Sequence, residues 1–249
     1  MKKLATAIAS IAILLLVWHF AARRVNSAVF PNPSLVLEEL VRSRALLARA
    51  SLSTLADALL GLGAGLSVAV LLRAVYQVVP MAKSFSAPLL LVSQLTPKIV
   101  IFPLLTILLS SFAAKLFVVA AFSLFPLLDS FSLAERETPK PLIEQLRLMG
   151  AGRWQIFWKF EVRHIFPFLM SSLKVGFVFS FMGAMTVEFY KPSGLGKVIN
   201  EGFGDAMAYS VGWAGIVCST LSGMIGWFSL NFFDSIILRK YYPHKHYAE

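Results

Sequence analysis

Residues 137–169 read ETPKPLIEQLRLMGAGRWQIFWKFEVRHIFPFL, the longest polar stretch in the chain. Thr138 with Pro139 and Pro141 makes a helix start, and Gly150 makes a helix stop. Between them Leu142, Ile143, Leu146 and Met149 fall at i, i+1, i+4 and i+7 and share one face, while Lys140, Glu144 and Arg147 face elsewhere. The spacing predicts a short amphipathic helix. A second helical pattern opens after Gly150, with Trp154, Phe157, Trp158 and Glu161, and runs to Pro167. Such a pair, an apolar stripe beside charges, suits docking into a groove on another protein. It equally fits a connector packed against its own helix ends.

On either side of this stretch the chain is apolar. Of 249 residues, 57% are hydrophobic and 14% charged, and mean hydropathy is +0.73. A water-soluble chain runs at about 45–50% apolar and about 25% charged, so too few charges are present to cover a wet surface. The chain belongs in lipid. Its net charge of +10 then reads as basic loops on an anionic membrane surface rather than as a nucleic-acid footprint. With Cys218 as the single cysteine, no intrachain disulfide can form.

A crossing helix needs about 20 largely apolar residues. Six such runs occur, at 4–22, 52–72, 86–109, 116–134, 166–187 and 211–238. The first is longer than a signal-peptide core of about 7–15 residues and lacks an A-x-A site, so it reads as an uncleaved helix. After Pro31 and Pro33, residues 35–50 mix Leu37, Leu40, Val41 and Leu47 with Glu38, Glu39, Arg42, Arg44 and Arg49, a pattern for a helix lying at the interface. The expected fold is an all-α polytopic membrane protein: a first helix and flank (1–30), an interfacial outer segment (31–50), a transmembrane domain (51–240) with its loop at 138–167, and a tail (241–249). Six spans put both termini on one side. The excess of Lys and Arg on that side makes it cytoplasmic, although Arg23, Arg24, Arg42, Arg44 and Arg49 count against the rule. Gly61 and Gly65 form a GxxxG in the second span, a spacing for close helix packing. The third carries Pro88, Pro97 and Pro103, and a helix interrupted at bilayer depth is tolerated where neighbours or a wet cavity satisfy its backbone, which makes a pathway plausible there.

At the loop the sequence resembles the transmembrane permease subunits of binding-protein-dependent ABC importers, whose cytoplasmic "EAA" signature is a Glu, two small residues, three more residues, a Gly, nine residues and I-x-L-P. Glu144, Gln145 and Leu146 take the first three slots, Gly150 the glycine, and Phe160, Val162 and Arg163 fall on the I, L and P slots. TPKIVIFPLL at 96–105, Lys115 followed by Phe125 and Pro126, and VEFYKPSGLGKVI at 187–199 are similar to motifs of the nitrate, sulfonate and taurine branch. The likeness covers residues 30–240. It implies a permease of the bacterial cytoplasmic membrane that works with a second permease copy, a cytoplasmic ATP-binding subunit and an extracytoplasmic solute-binding protein. It also implies that Glu144, Gln145, Leu146, Met149, Gly150 and Ala151 form the contact with the ATPase, and that ATP is used by that partner while this chain binds no cofactor.

A charge at bilayer depth costs about 2.5–3.5 kcal/mol on insertion scales, so each is a functional candidate. Lys98, following the helix-breaking Pro97, could attract an anionic cargo or pair with Asp57 or Asp129. Glu188, before the G-L-G, is the other pathway candidate. Asp57, Asp129, Lys174 and Asp234 lie near expected span ends and read as interfacial. No enzyme constellation stands out: His19, His164, His244 and His246 have no metal-site spacing, and GLGK at 194–197 has Lys191 and Val198 where a phosphate loop needs Gly and Ser or Thr. Two rivals share the six spans: an ATP-independent carrier or channel, and a membrane enzyme acting on lipid head groups.

Overall fold

The computed structural model describes residues 2–25, 29–190, 193–204 and 209–241, and every regular element among them is helical. Among the described residues four helical runs are long and apolar enough to cross a membrane: α3 (Arg44–Val78), α6 (Ser111–Arg136), the run Arg153–Glu188, and α11 (Tyr209–Tyr241) over Tyr209–Ile237. A fifth is a pair, α4 (Pro80–Leu95) and α5 (Lys98–Leu108), bent by 102°. The 26 residues of α6 rise about 39 Å, more than the roughly 30 Å of a hydrocarbon core. The first expected span lies within α1 (Lys2–Arg24).

The sequence places a helix boundary near residue 51, but the structure places it at Ser43. There α2 (Pro33–Arg42) ends and α3 begins, so Arg44 and Arg49 ride on the long helix. The reason is local: the Ser43 backbone N–H donates to the Glu39 carbonyl at 2.8 Å, and its hydroxyl donates to the Glu39 carboxylate. A further helix, α10 (Gly194–Gly204), was not expected at all.

The helices group into two compact units, one of residues up to 55 with 185–222, the other of 56–184 with 223 onward. In the first, Val36, Leu47, Ala50, Leu195, Val198 and Ala214 form a buried cluster. Burying each larger side chain there is worth about 1.5–3 kcal/mol. Beside it the rings of Trp18, Phe30 and Trp213 meet in tilted and edge-to-face contacts, and the indole N–H groups of Trp18 and Trp213 donate to the Pro31 and Val29 carbonyls, both at 3.1 Å. In the second unit the GxxxG does the packing its spacing suggests. A Cβ on Gly61 would run into the Val119 side chain and one on Gly65 into the Ser123 hydroxyl, so α3 and α6 meet backbone to side chain. Ser180 donates to the Ala58 carbonyl at 2.6 Å and ties in the fifth span. Replacing Gly61 with Leu is therefore expected to destabilise the bundle by at least about 1–3 kcal/mol, read as a lower melting temperature in detergent, with Gly63→Leu, which faces open space, as the silent control.

Candidate coupling and translocation sites

Helix α7 (Lys140–Leu148) opens with Pro139 at its cap and Pro141 in its first turn, where missing N–H groups cost nothing. It closes with two carbonyls satisfied by the chain beyond: the Ala151 N–H donates to Leu146 and the Gly150 N–H to Arg147, each at 3.0 Å. This closure needs a left-handed residue, and Gly150 has φ 83°. The helix buries none of its residues. The face expected from the spacing divides: Ile143 and Leu146 are half-buried, while Leu142 and Met149 point outward together with Leu148. Leu148 and Met149 are 88% and 83% exposed. Glu144, Gln145 and Gly150 are exposed beside them, and Ala151 is half-buried.

Past Gly152, whose N–H donates to the Gln155 side chain at 3.2 Å, the chain forms α8 (Arg153–Ile156), one π turn (Phe157–Glu161) and α9 (Val162–Glu188). Pro167, to which the second helical pattern runs, sits inside α9. The second half of the loop is thus continuous with the fifth span. The π turn, a feature frequent at functional positions, lies among stacked rings, with Phe160 and His164 parallel at 6.0 Å. Trp154 and Trp158 remain exposed.

The third span is broken once, not three times. Pro88 and Pro103 lie inside α4 and α5. At the break, Pro97 restricts Thr96 to extended backbone (φ −76°, ψ 125°), and the Thr96 N–H and hydroxyl both donate to the Val92 carbonyl, at 3.0 and 2.8 Å. Lys98 is the first residue of α5. Its ammonium lies 5.0 Å from the Phe122 ring centroid, and among the described residues it has no ion-pair partner. The expected partner Asp57 instead holds Lys115, at 2.5 and 2.6 Å. A half-buried cation at the positive end of a helix, at a break in a span, is an arrangement that attracts anions.

Three residues read from sequence as interfacial are instead paired across helices: Asp57 with Lys115, and Lys174 with Asp234 at 2.8 Å, all of them mostly buried. Asp129 is exposed. Removing one member of a buried pair strands the other, at about 3–5 kcal/mol, whereas removing both is far milder. Asp57→Ala should thus cost more stability than Asp57→Ala with Lys115→Met, a double-mutant cycle readable by thermal unfolding in detergent.

Glu188, at the end of α9, is fully buried in the first unit. Its carboxylate accepts from the Thr54 hydroxyl and from the Gly196 N–H, both at 2.9 Å, and the Leu195 N–H donates to the Thr54 oxygen at 2.9 Å. Gly194 turns the chain into α10 with φ 88°, and a Cβ there would land on the Glu188 carboxyl. Glu188 therefore anchors the N-terminus of α10. Thr54 was not singled out from the sequence, where nothing distinguishes it from hydroxyls such as Ser67 that only bond their own helix. Lys191 in the same motif, and residues 242–249 with His244 and His246, lie outside the described residues.

Long apolar helices, a bent helix pair and an exposed amphipathic helix define a multi-pass α-helical membrane protein. The family described as binding-protein-dependent transport system inner membrane component matches residues 60–241, a stretch that includes the Pro97 break, α7, Glu188 and the Gly194 turn. The chain belongs to this family. It is also 32% identical over 116 residues to the riboflavin transport system permease protein RibX of Chloroflexus aurantiacus, a match covering 46% of this chain and 43% of that protein. The chain thus aligns with less than half the length of this relative.

Proposed function

We propose that the chain is the pathway-forming permease of an ATP-driven importer in the bacterial inner membrane, with both termini cytoplasmic. It works as a homodimer with a cytoplasmic ATP-binding subunit and takes its cargo from an extracytoplasmic solute-binding protein. One observation carries the reading: α7 ends at a left-handed glycine and offers Leu148 and Met149 to a partner rather than packing them on its own bundle. Glu144, Gln145, Leu146, Met149, Gly150 and Ala151 form the coupling contact. Because the segment after Gly152 is continuous with the fifth span, a push on α7 reaches the membrane through one continuous helical run.

Pro97 and Lys98 contribute to the pathway, where the broken span offers a cation and a helix N-terminus to a passing solute. The branch motifs and the riboflavin relative support a cargo of one class: a nitrate-, sulfonate- or taurine-like anion, or a vitamin precursor. Reconstitution tests it. Uptake into liposomes should need the ATPase, ATP and the binding protein together, and Lys98→Ala should lower uptake at least tenfold for an anionic cargo. Uptake driven by an ion gradient with this chain alone would replace the reading with an autonomous carrier.

A further inference from the structure

We propose that the cavity walled by α3, α4 and α6 is a phospholipid site, selective for a zwitterionic headgroup that carries a free amine. The cavity holds about 660 Å³, inside the range of about 300–1,000 Å³ typical of small-molecule sites. Its lining is graded along the helices. The charged residues Arg73, Lys83, Asp129 and Glu135 all lie within about two turns of a helix end. Phe125 lines it from the middle of α6, Leu128 lies next to Asp129, and Leu90 and Leu91 line it from the end of α4 that meets the Pro97 break within the span. A cavity that is polar at the ends of crossing helices and apolar toward their middle has the profile of a lipid at the membrane interface. A soluble polar cargo would leave the apolar depth unmatched.

Charge then selects the headgroup. The lining carries two cations and two carboxylates, so it is neutral as a whole and does not favour a purely anionic lipid. Lys83 and Glu135 are paired at 3.2 Å but half exposed, a contact weak enough to open. The Arg73 guanidinium lies 5.5 Å from the Phe131 ring centroid and 3.5 Å from the Phe131 carbonyl. Neither Arg73 nor Asp129 has an ion-pair partner among the described residues. A guanidinium fork matches a phosphate, and a carboxylate accepts from a primary ammonium. Phosphate on Arg73, ammonium on Asp129 and an acyl chain along Leu90 and Leu128 would satisfy all three.

The test uses the whole chain, purified in detergent and mixed with equal amounts of phosphatidylethanolamine, phosphatidylcholine and phosphatidylglycerol, with bound lipid read by native mass spectrometry. Phosphatidylethanolamine should be retained first, because the quaternary ammonium of phosphatidylcholine has no proton to donate to Asp129. Arg73→Gln should weaken that retention about tenfold, the loss expected for a charge-assisted bond. Asp129→Asn, a nearly isosteric change at an exposed position, should erase the preference over phosphatidylcholine. Equal retention of the three lipids, preference for phosphatidylglycerol, or unchanged selectivity in Asp129→Asn would each overturn the proposal. None of these outcomes depends on whether the chain imports solutes.

Discussion

Gly150→Asp is expected to reduce uptake to background while leaving the chain in the membrane at its normal level. Gly150 has φ 83°, a conformation costing a side-chain-bearing residue about 1–2 kcal/mol, and nothing lies within 4 Å of where a Cβ would stand. Within the chain the substitution is thus a strain of modest size, too small to unfold a bundle of long helices. On the proposed coupling role its damage falls on what approaches from outside: a charged branch placed at the turn, next to Leu148 and Met149, would have to be desolvated inside the partner's groove. Strain and obstruction separate by comparison. Asn tolerates the left-handed region best among residues with side chains, so Gly150→Asn keeps the turn and tests bulk, while Gly150→Ala tests strain with the least bulk. Uptake falling in the order Gly, Ala, Asn, Asp, with ATPase co-purification falling in parallel, is the expected pattern. Normal uptake by Gly150→Asp would remove α7 from the coupling path.

What the sequence reveals about this protein follows the range of the interactions involved. The ends of α7 are legible because a proline start and a glycine stop act within a few residues. The crossing helices are legible because length and apolar content are additive along the chain. The Pro97 break, in contrast to Pro88 and Pro103, depends on a Thr96 that can cap the preceding helix with both its donors, a detail that counting prolines misses. Partner choice is less legible still. Along the chain Asp57 is nearer to Lys98 than to Lys115, and only the packing of α3 on α6, set by Gly61 and Gly65, brings it to Lys115. The split of the α7 face has the same origin, since periodicity gives one apolar stripe and tertiary cover then divides it. Helix α10 is not legible because its start is held in part from 141 positions away along the chain, where the Thr54 hydroxyl oxygen accepts from the Leu195 N–H.

That last anchor yields the largest stability effect expected in the first unit. Gly194→Ala meets two penalties at once: a left-handed backbone at φ 88°, and a methyl group placed on the Glu188 carboxyl. Left-handed strain of about 1–2 kcal/mol and overpacking of about 1–3 kcal/mol together predict a loss of about 2–5 kcal/mol. A loss of that size is a large part of the 5–15 kcal/mol margin usual for a folded domain. The carboxylate can shift only by abandoning the Gly196 N–H or the Thr54 hydroxyl, which leaves buried polar groups without their partners. Glu188→Gln separates the roles of shape and charge. Its amide oxygen can accept from both donors, so the anchor keeps these two hydrogen bonds and loses the attraction between a carboxylate and the positive end of α10, with an NH2 in place of the second oxygen. Glu188→Gln should therefore unfold within a few degrees of the parent, and Glu188→Ala and Gly194→Ala well below it. Thr54→Val, which removes the hydroxyl but keeps the volume, should fall with the damaging pair, because the Leu195 N–H and the Glu188 carboxylate both lose a partner. Thermal unfolding of the four variants in one detergent decides the matter: a Gly194→Ala protein as stable as its parent would mean that the turn can reshape itself and that Glu188 is not its anchor.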